Sequence, residues 1–119
     1  MLGPEPQQCT PARDAVKRFY SFYLDADMNS VESAMARSSY LTNELSSQLA
    51  GPRGKIDYFT ASETLPKAFK VGGCTSDAAD SAKLDVVLFW SDDAGNAQKE
   101  IKVEILNRFD KWLINKVSE

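Results

Sequence analysis

Apolar residues recur at helical spacing in the first half of the chain and at every second position in the last third. Val16, Phe19, Tyr20, Tyr23 and Leu24 form one broad stripe, with Arg13, Asp14, Lys17 and Arg18 on the other side. That spacing predicts an amphipathic helix over 11–25, entered through Thr10 as cap and Pro11 in the first turn, where a missing N–H costs nothing. A second short helix is expected from Asn29 or Ser30, carrying Val31, Ala34 and Met35. A third follows Tyr40, with Leu41, Leu45 and Leu49 one turn apart and Gly51-Pro52 ending it.

Residues 51–67 read as a loop, punctuated by Gly51, Pro52, Gly54 and Pro66. Ile56, Tyr58, Phe59 and Leu65 make it too apolar to be freely solvated, so it is expected to pack over the core. Beyond it the period changes to two. Ala68–Gly73 is a first short strand and the polar run 75–81 a connection. In 83–91, Leu84, Val86, Leu88 and Trp90 point one way and Asp85, Val87 and Phe89 the other, which predicts a strand partly covered on both faces. After a turn at 92–96, the run 98–109 sets Ile101, Val103 and Ile105 against Lys102 and Glu104, and a last strand covers 111–117 with Trp112. Helices first and an antiparallel meander of about four strands last is an α+β order.

Composition narrows the organisation. The 119 residues, 43% of them hydrophobic, suit one domain, because two pieces of half that length would bury too little core. The expected division is a flexible tail over 1–9 and a single α+β domain over 10–119. A formal charge of -3 with dispersed Lys and Arg argues against nucleic acid as a partner. No apolar stretch reaches the roughly 20 residues of a bilayer span. Two cysteines, Cys9 and Cys74, form an even pair in a small domain and are the disulfide candidate. With no histidine anywhere to activate it, neither thiol reads as a nucleophile.

Several stretches together resemble a known family. They are 15–20 (Ala-Val-Lys-Arg-Phe-Tyr) with Tyr23-Leu24, 40–45 (Tyr-Leu-Thr-Asn-Glu-Leu), Asp57-Tyr58-Phe59 with Leu65-Pro66, the strand 82–90, and 111–117 (Lys-Trp-Leu-Ile-Asn-Lys-Val). In these the chain is similar to the nuclear-transport-factor-2-like (cystatin-like) superfamily, and within it to the bacterial envelope domains called domain of unknown function 3828. The resemblance runs from residue 10 almost to the end and rests mostly on hydrophobic spacing. It implies a strongly curved, cone-shaped antiparallel sheet wrapped around the first helix, often with a pocket at the open end. It also implies export to the periplasm or envelope after removal of an upstream signal, with lipid anchoring in many relatives. It assigns no catalytic residue.

Candidate chemistry is sparse. Asp25, Asp27, Asn29 and Glu32 open like a calcium loop, but Ser30 stands where that loop needs Gly and Ala36 where it needs Glu, so a polar helix connection is the reading and no metal or cofactor is expected. Pocket enzymes of the resembling superfamily use a carboxylate or histidine base with phenolic donors. Here Asp85 with Tyr20, Tyr23 or Tyr58 would have to serve, and the plainer reading of Asp85 is an exposed strand residue paired with Lys102. Asp57-Tyr58-Phe59 is either a pocket cap or partner contact, or an Asx turn that seats Phe59 in the core. Trp90 and Trp112 are strand aromatics, contact candidates only if exposed at a rim. The favoured reading is a non-enzymatic binding or accessory module of the envelope, recognising an envelope protein or small ligand through Tyr23, Asp57, Tyr58, Phe59, Trp90 and Trp112. The alternative is a small-molecule pocket protein, a lyase or isomerase. A homodimer is compatible with either.

Overall fold

A computed structural model of the chain describes residues 6–25, 30–49, 54–76, 78–92 and 95–119. Three helices precede four strands: α1 (Cys9–Asp25), α2 (Val31–Ser38), α3 (Asn43–Gln48), β1 (Ala68–Thr75), β2 (Ser81–Asp92), β3 (Gly95–Arg108) and β4 (Lys111–Ser118). The strands form one antiparallel sheet in the order β1-β2-β3-β4, with α1 packed on one face. The α+β class and four-strand meander expected from the change of period are what the chain forms.

The core lies between α1 and that sheet face. Ala12, Val16, Phe19, Tyr20 and Tyr23 of α1 meet Leu84, Val86 and Leu88 of β2, Ile101, Val103 and Ile105 of β3, and Ile114 and Val117 of β4, all buried. Each fully buried large side chain contributes about 1.5–3 kcal/mol, so this single face is the main source of stability. The other face of β2 carries Asp85, Val87 and Phe89 half-buried. Among the described residues no helix forms a second layer over it.

Both outer strands are bulged. Register slips by one residue in β1 between Val71 and Cys74, at Gly72-Gly73, and in the β3–β4 pair after Ile105, at Asn115. A bulge inserts one residue and restores the alternation beyond it. That is why Ile114 and Val117, three apart, both face the core. β4 is further covered along its edge, because Thr42 N donates to Ile114 O (2.9 Å) and Ile114 N to Tyr40 O (2.8 Å).

Several boundaries differ from expectation for identifiable reasons. α1 starts at Cys9, ahead of the Thr10-Pro11 pair: a turn over Pro6–Cys9 leads in, and Gln8 O accepts from Ala12 N. Pro11 still lies in the first turn, where no N–H is needed. Leu41 is not part of the third helix. It bridges to Ile114 at the sheet edge, and Thr42 caps the helix by accepting from Leu45 N (3.2 Å). α2 has its cap at Ser30, whose hydroxyl accepts from Ser33 N, but it buries nothing, with Val31 75% and Met35 71% exposed. β1 runs on to Thr75 because the glycine bulge lets it. β3 stops at Arg108 because Phe109 and Asp110 take left-handed φ values of 54° and 63° and turn the chain into β4. Residues Asn29, Gly51 and Pro52, and the centre of the 92–96 turn, lie outside the described residues.

Cys9 and Cys74 are bonded, with Cα atoms 6.1 Å apart at a sequence separation of 65. The bond ties the first residue of α1 to the end of β1. Beside it Gln8 Nε2 donates to Ser76 Oγ (2.8 Å), and Arg13 donates to Gly72 O on the bulge. Met1–Glu5 of the expected tail lie outside the described residues, whereas Cys9 is a buried helix residue. Among the described residues no helix is long and apolar enough to cross a membrane.

Candidate functional site

Five of the six candidate contact residues, all but Trp112, converge where the segment 57–66 crosses the far end of α1. Asp57 organises this end. Its Oδ1 accepts from Phe59 N (2.7 Å) and Thr60 N (3.3 Å), an Asx turn, while Oδ2 accepts from Tyr23 Oη on α1 (2.5 Å). The turn is closed by Asp57 N donating to Ser62 O and Ala61 N to Asp57 O, both 2.8 Å, with Ala61 at a left-handed φ of 53°.

The turn drives Phe59 inward to 1% exposure. Its ring lies 4.9 Å from Phe19, 5.1 Å from Tyr23 and 5.2 Å from Tyr58 between centroids, so aromatic rings fill this end of the interior. Tyr20 Oη donates to Phe59 O (2.7 Å). Burial, and after it the nearby Asp57 charge, pushes the Tyr20 phenol well above the usual tyrosine range. Tyr58 is half-buried, and its hydroxyl accepts from Val117 N of β4 (3.0 Å). Lys99 Nζ reaches Ala61 O (2.7 Å) and pairs with Glu119, closing the same end from β3.

The tryptophans separate. Trp90, half-buried at the end of β2, donates from Nε1 to Thr64 O (2.9 Å) and so belongs to the same segment. Trp112 is opposite Asn107 near the β3–β4 turn, at the other end of the sheet. Asp85 is not buried in the interior. It faces the outer side of β2, directly opposite Lys102, with Oδ1 2.6 Å from Nζ. That hydrogen bond and the attraction of Asp85 hold the Lys102 ammonium above its ordinary value. Asp85 therefore does not join the phenols, and the set imagined for a pocket enzyme is not assembled. Asp27 and Asn29 of the calcium-like stretch lie outside the described residues. Among the described residues no group of three or more His, Cys, Asp or Glu is placed to hold a metal.

Two features escaped sequence reasoning. A shallow cavity of about 160 Å³ opens at the disulfide end, lined by Thr75, Ser81, Ala82, Lys83 and Glu104. Arg37, in the last turn of α2, lays its guanidinium over the Phe59 ring, Cζ 5.8 Å from the centroid, and its enclosed Nε has no hydrogen-bond partner. A cation in a helix's last turn is an ordinary dipole partner, so nothing in the sequence pointed it at Phe59.

No family profile matches the chain, and no curated protein sequence does. Among solved structures it is similar to the crystal structure of a protein of unknown function from Bacteroides thetaiotaomicron. The TM-score is 0.53 at 12% identity, over 92% of this chain and 87% of that one. At that identity the likeness speaks for the fold alone.

Proposed function

We propose that the chain is a non-enzymatic binding or accessory module of the bacterial envelope, of the nuclear-transport-factor-2-like kind, recognising its partner at the end capped by residues 57–66. The observation that carries this reading is how the polar groups there are used. The Tyr20, Tyr23 and Tyr58 hydroxyls, both Asp57 oxygens and the Trp90 indole each have a partner within the chain, and Phe59 occupies the space between them. A general acid or base must be within reach of a substrate proton, and these groups are committed to holding the turn. What remains at this end is a half-exposed rim of Tyr58, Trp90 and the segment joining them, suited to contact. The Cys9–Cys74 bond supports the exported part of the reading, because such bonds persist in oxidising compartments.

The alternative, a small-molecule pocket protein acting as lyase or isomerase, draws on one observation: a phenol and a carboxylate, Tyr23 and Asp57, share a hydrogen bond beside apolar rings. Thermal melting against a metabolite panel separates the two. A ligand stabilises the state it binds, by about 2.7 kcal/mol at a hundredfold excess over its dissociation constant. Stabilisation by one class of compound, matched by direct binding of that compound, favours the pocket. Absence of any such shift favours the module.

A further inference from the structure

The binding-module reading leaves the chemistry of the ligand open, and Arg37 narrows it. Its side chain crosses from α2 to the face of Phe59, an arrangement in which a cation is attracted by the ring. Guanidinium carries five N–H donors in one plane, and the Nε–H of Arg37 is sealed from solvent without an acceptor. Buried donors left in this state are rare and costly, since the group has given up water and gained nothing.

Asp57, the acidic candidate beside Phe59, is turned to other donors: Oδ2 accepts from Tyr23 Oη and Oδ1 from the N–H groups of Phe59 and Thr60, and no Arg37–Asp57 ion pair forms. Among the described residues nothing accepts from Nε, which leaves it open to an acceptor carried by a ligand. No α2 residue is buried as a whole, and α2 packs on no strand as closely as α1 does.

We infer that Arg37 is an oxyanion-gripping residue at the 57–66 end, which turns its Nε/Nη edge from the Phe59 ring to a carboxylate of the ligand. This rests on the module reading and adds its ligand chemistry. A carboxylate fits better than a point anion, because its two oxygens match the side-on fork of guanidinium with two parallel hydrogen bonds. The carboxylate belongs either to a free small acid or to an acidic side chain of a protein partner.

The test is titration of the isotope-labelled full chain at constant ionic strength with succinate, with N-acetyl-glutamate amide, and with inorganic phosphate, following arginine Nε–Hε signals by NMR. Arg37→Lys identifies the Arg37 signal by its loss, and Arg13 and Arg108, engaged with Gly72 O and Glu44, serve as internal references. The expected result is a saturable shift of the Arg37 signal alone with a carboxylate. Affinity should fall roughly tenfold in Arg37→Lys, which keeps the charge but not the fork, with cooperative melting retained, and further in Arg37→Ala, which also uncovers the Phe59 ring and melts lower. Response to succinate only identifies a free acid, and response to the glutamate derivative as well identifies a protein carboxylate. No shift, an equal shift of all arginines, or a response to phosphate alone overturns the assignment. A failure here leaves the module reading standing, since contact through Tyr58 and Trp90 does not need Arg37.

Discussion

Asp57 holds three donors with one carboxylate, and through them it joins α1 to the turn that seats Phe59. Asp57→Ala removes all three at once and is expected to cost about 2–3 kcal/mol in urea unfolding, the range for hydrogen bonds to a charged group. Tyr20→Phe removes one buried hydroxyl and strands the Phe59 carbonyl, for about 1–2 kcal/mol. Its pH dependence is the sharper signature. The folded-state pKa of Tyr20 is raised, so above the usual tyrosine value of 10.0 the unfolded chain releases a proton that the folded chain still holds. The stabilisation is therefore complete below pH 10 and declines above it. The stability gap between wild type and Tyr20→Phe should be constant from neutral to mildly alkaline pH and shrink as pH rises past about 10. A gap independent of pH would mean that Tyr20 is not buried as described.

Among the elements, α1 depends most on a covalent constraint. Closing 65 residues of sequence with the Cys9–Cys74 bond removes loop entropy from the unfolded chain worth about 4 kcal/mol. The Cys9→Ser, Cys74→Ser double variant should lose stability on that scale, and reductant should shift the wild-type urea midpoint while leaving the variant's in place. The β3–β4 turn runs the other way. Phe109 is 97% exposed and held at a left-handed φ of 54°, a conformation for which an aromatic residue gains nothing in packing. Asn at that position suits such a turn, so Phe109→Asn should raise stability by about 0.5–1 kcal/mol; a loss would show that the ring makes a contact. These elements also mark what was legible in the sequence. Alternation located β3 because one buried face requires it, a mostly apolar run of β-formers located β2, whose two faces are both partly covered, and the α1 stripe did the same for a helix. The bulges at Gly72-Gly73 and Asn115 were not legible, since register depends on the partner strand. Nor was the exposure of Val31 and Met35, because helical spacing reports that a helix has an apolar face and not that anything covers it. At the candidate site the Asx turn could be anticipated from Asp57 preceding two aromatics. The pairing of Tyr58 with Val117 and of Trp90 with Thr64 spans distant parts of the chain and leaves no local trace.

At the scale of the whole molecule, one helix on one face of a four-stranded sheet gives a core closed at the 57–66 end by aromatic packing and pinned at the other by the disulfide. The proposal that the 57–66 end is a contact surface rests on that closure. Its most direct test is capture from bacterial envelope extract by wild-type chain and by Tyr58→Ala and Trp90→Ala variants confirmed to melt cooperatively. One protein should be held specifically by wild type and bind directly when repurified, with affinity at least about tenfold weaker in the variants, as for loss of an interface anchor. Equal affinity of wild type and both variants for every directly binding protein would contradict it.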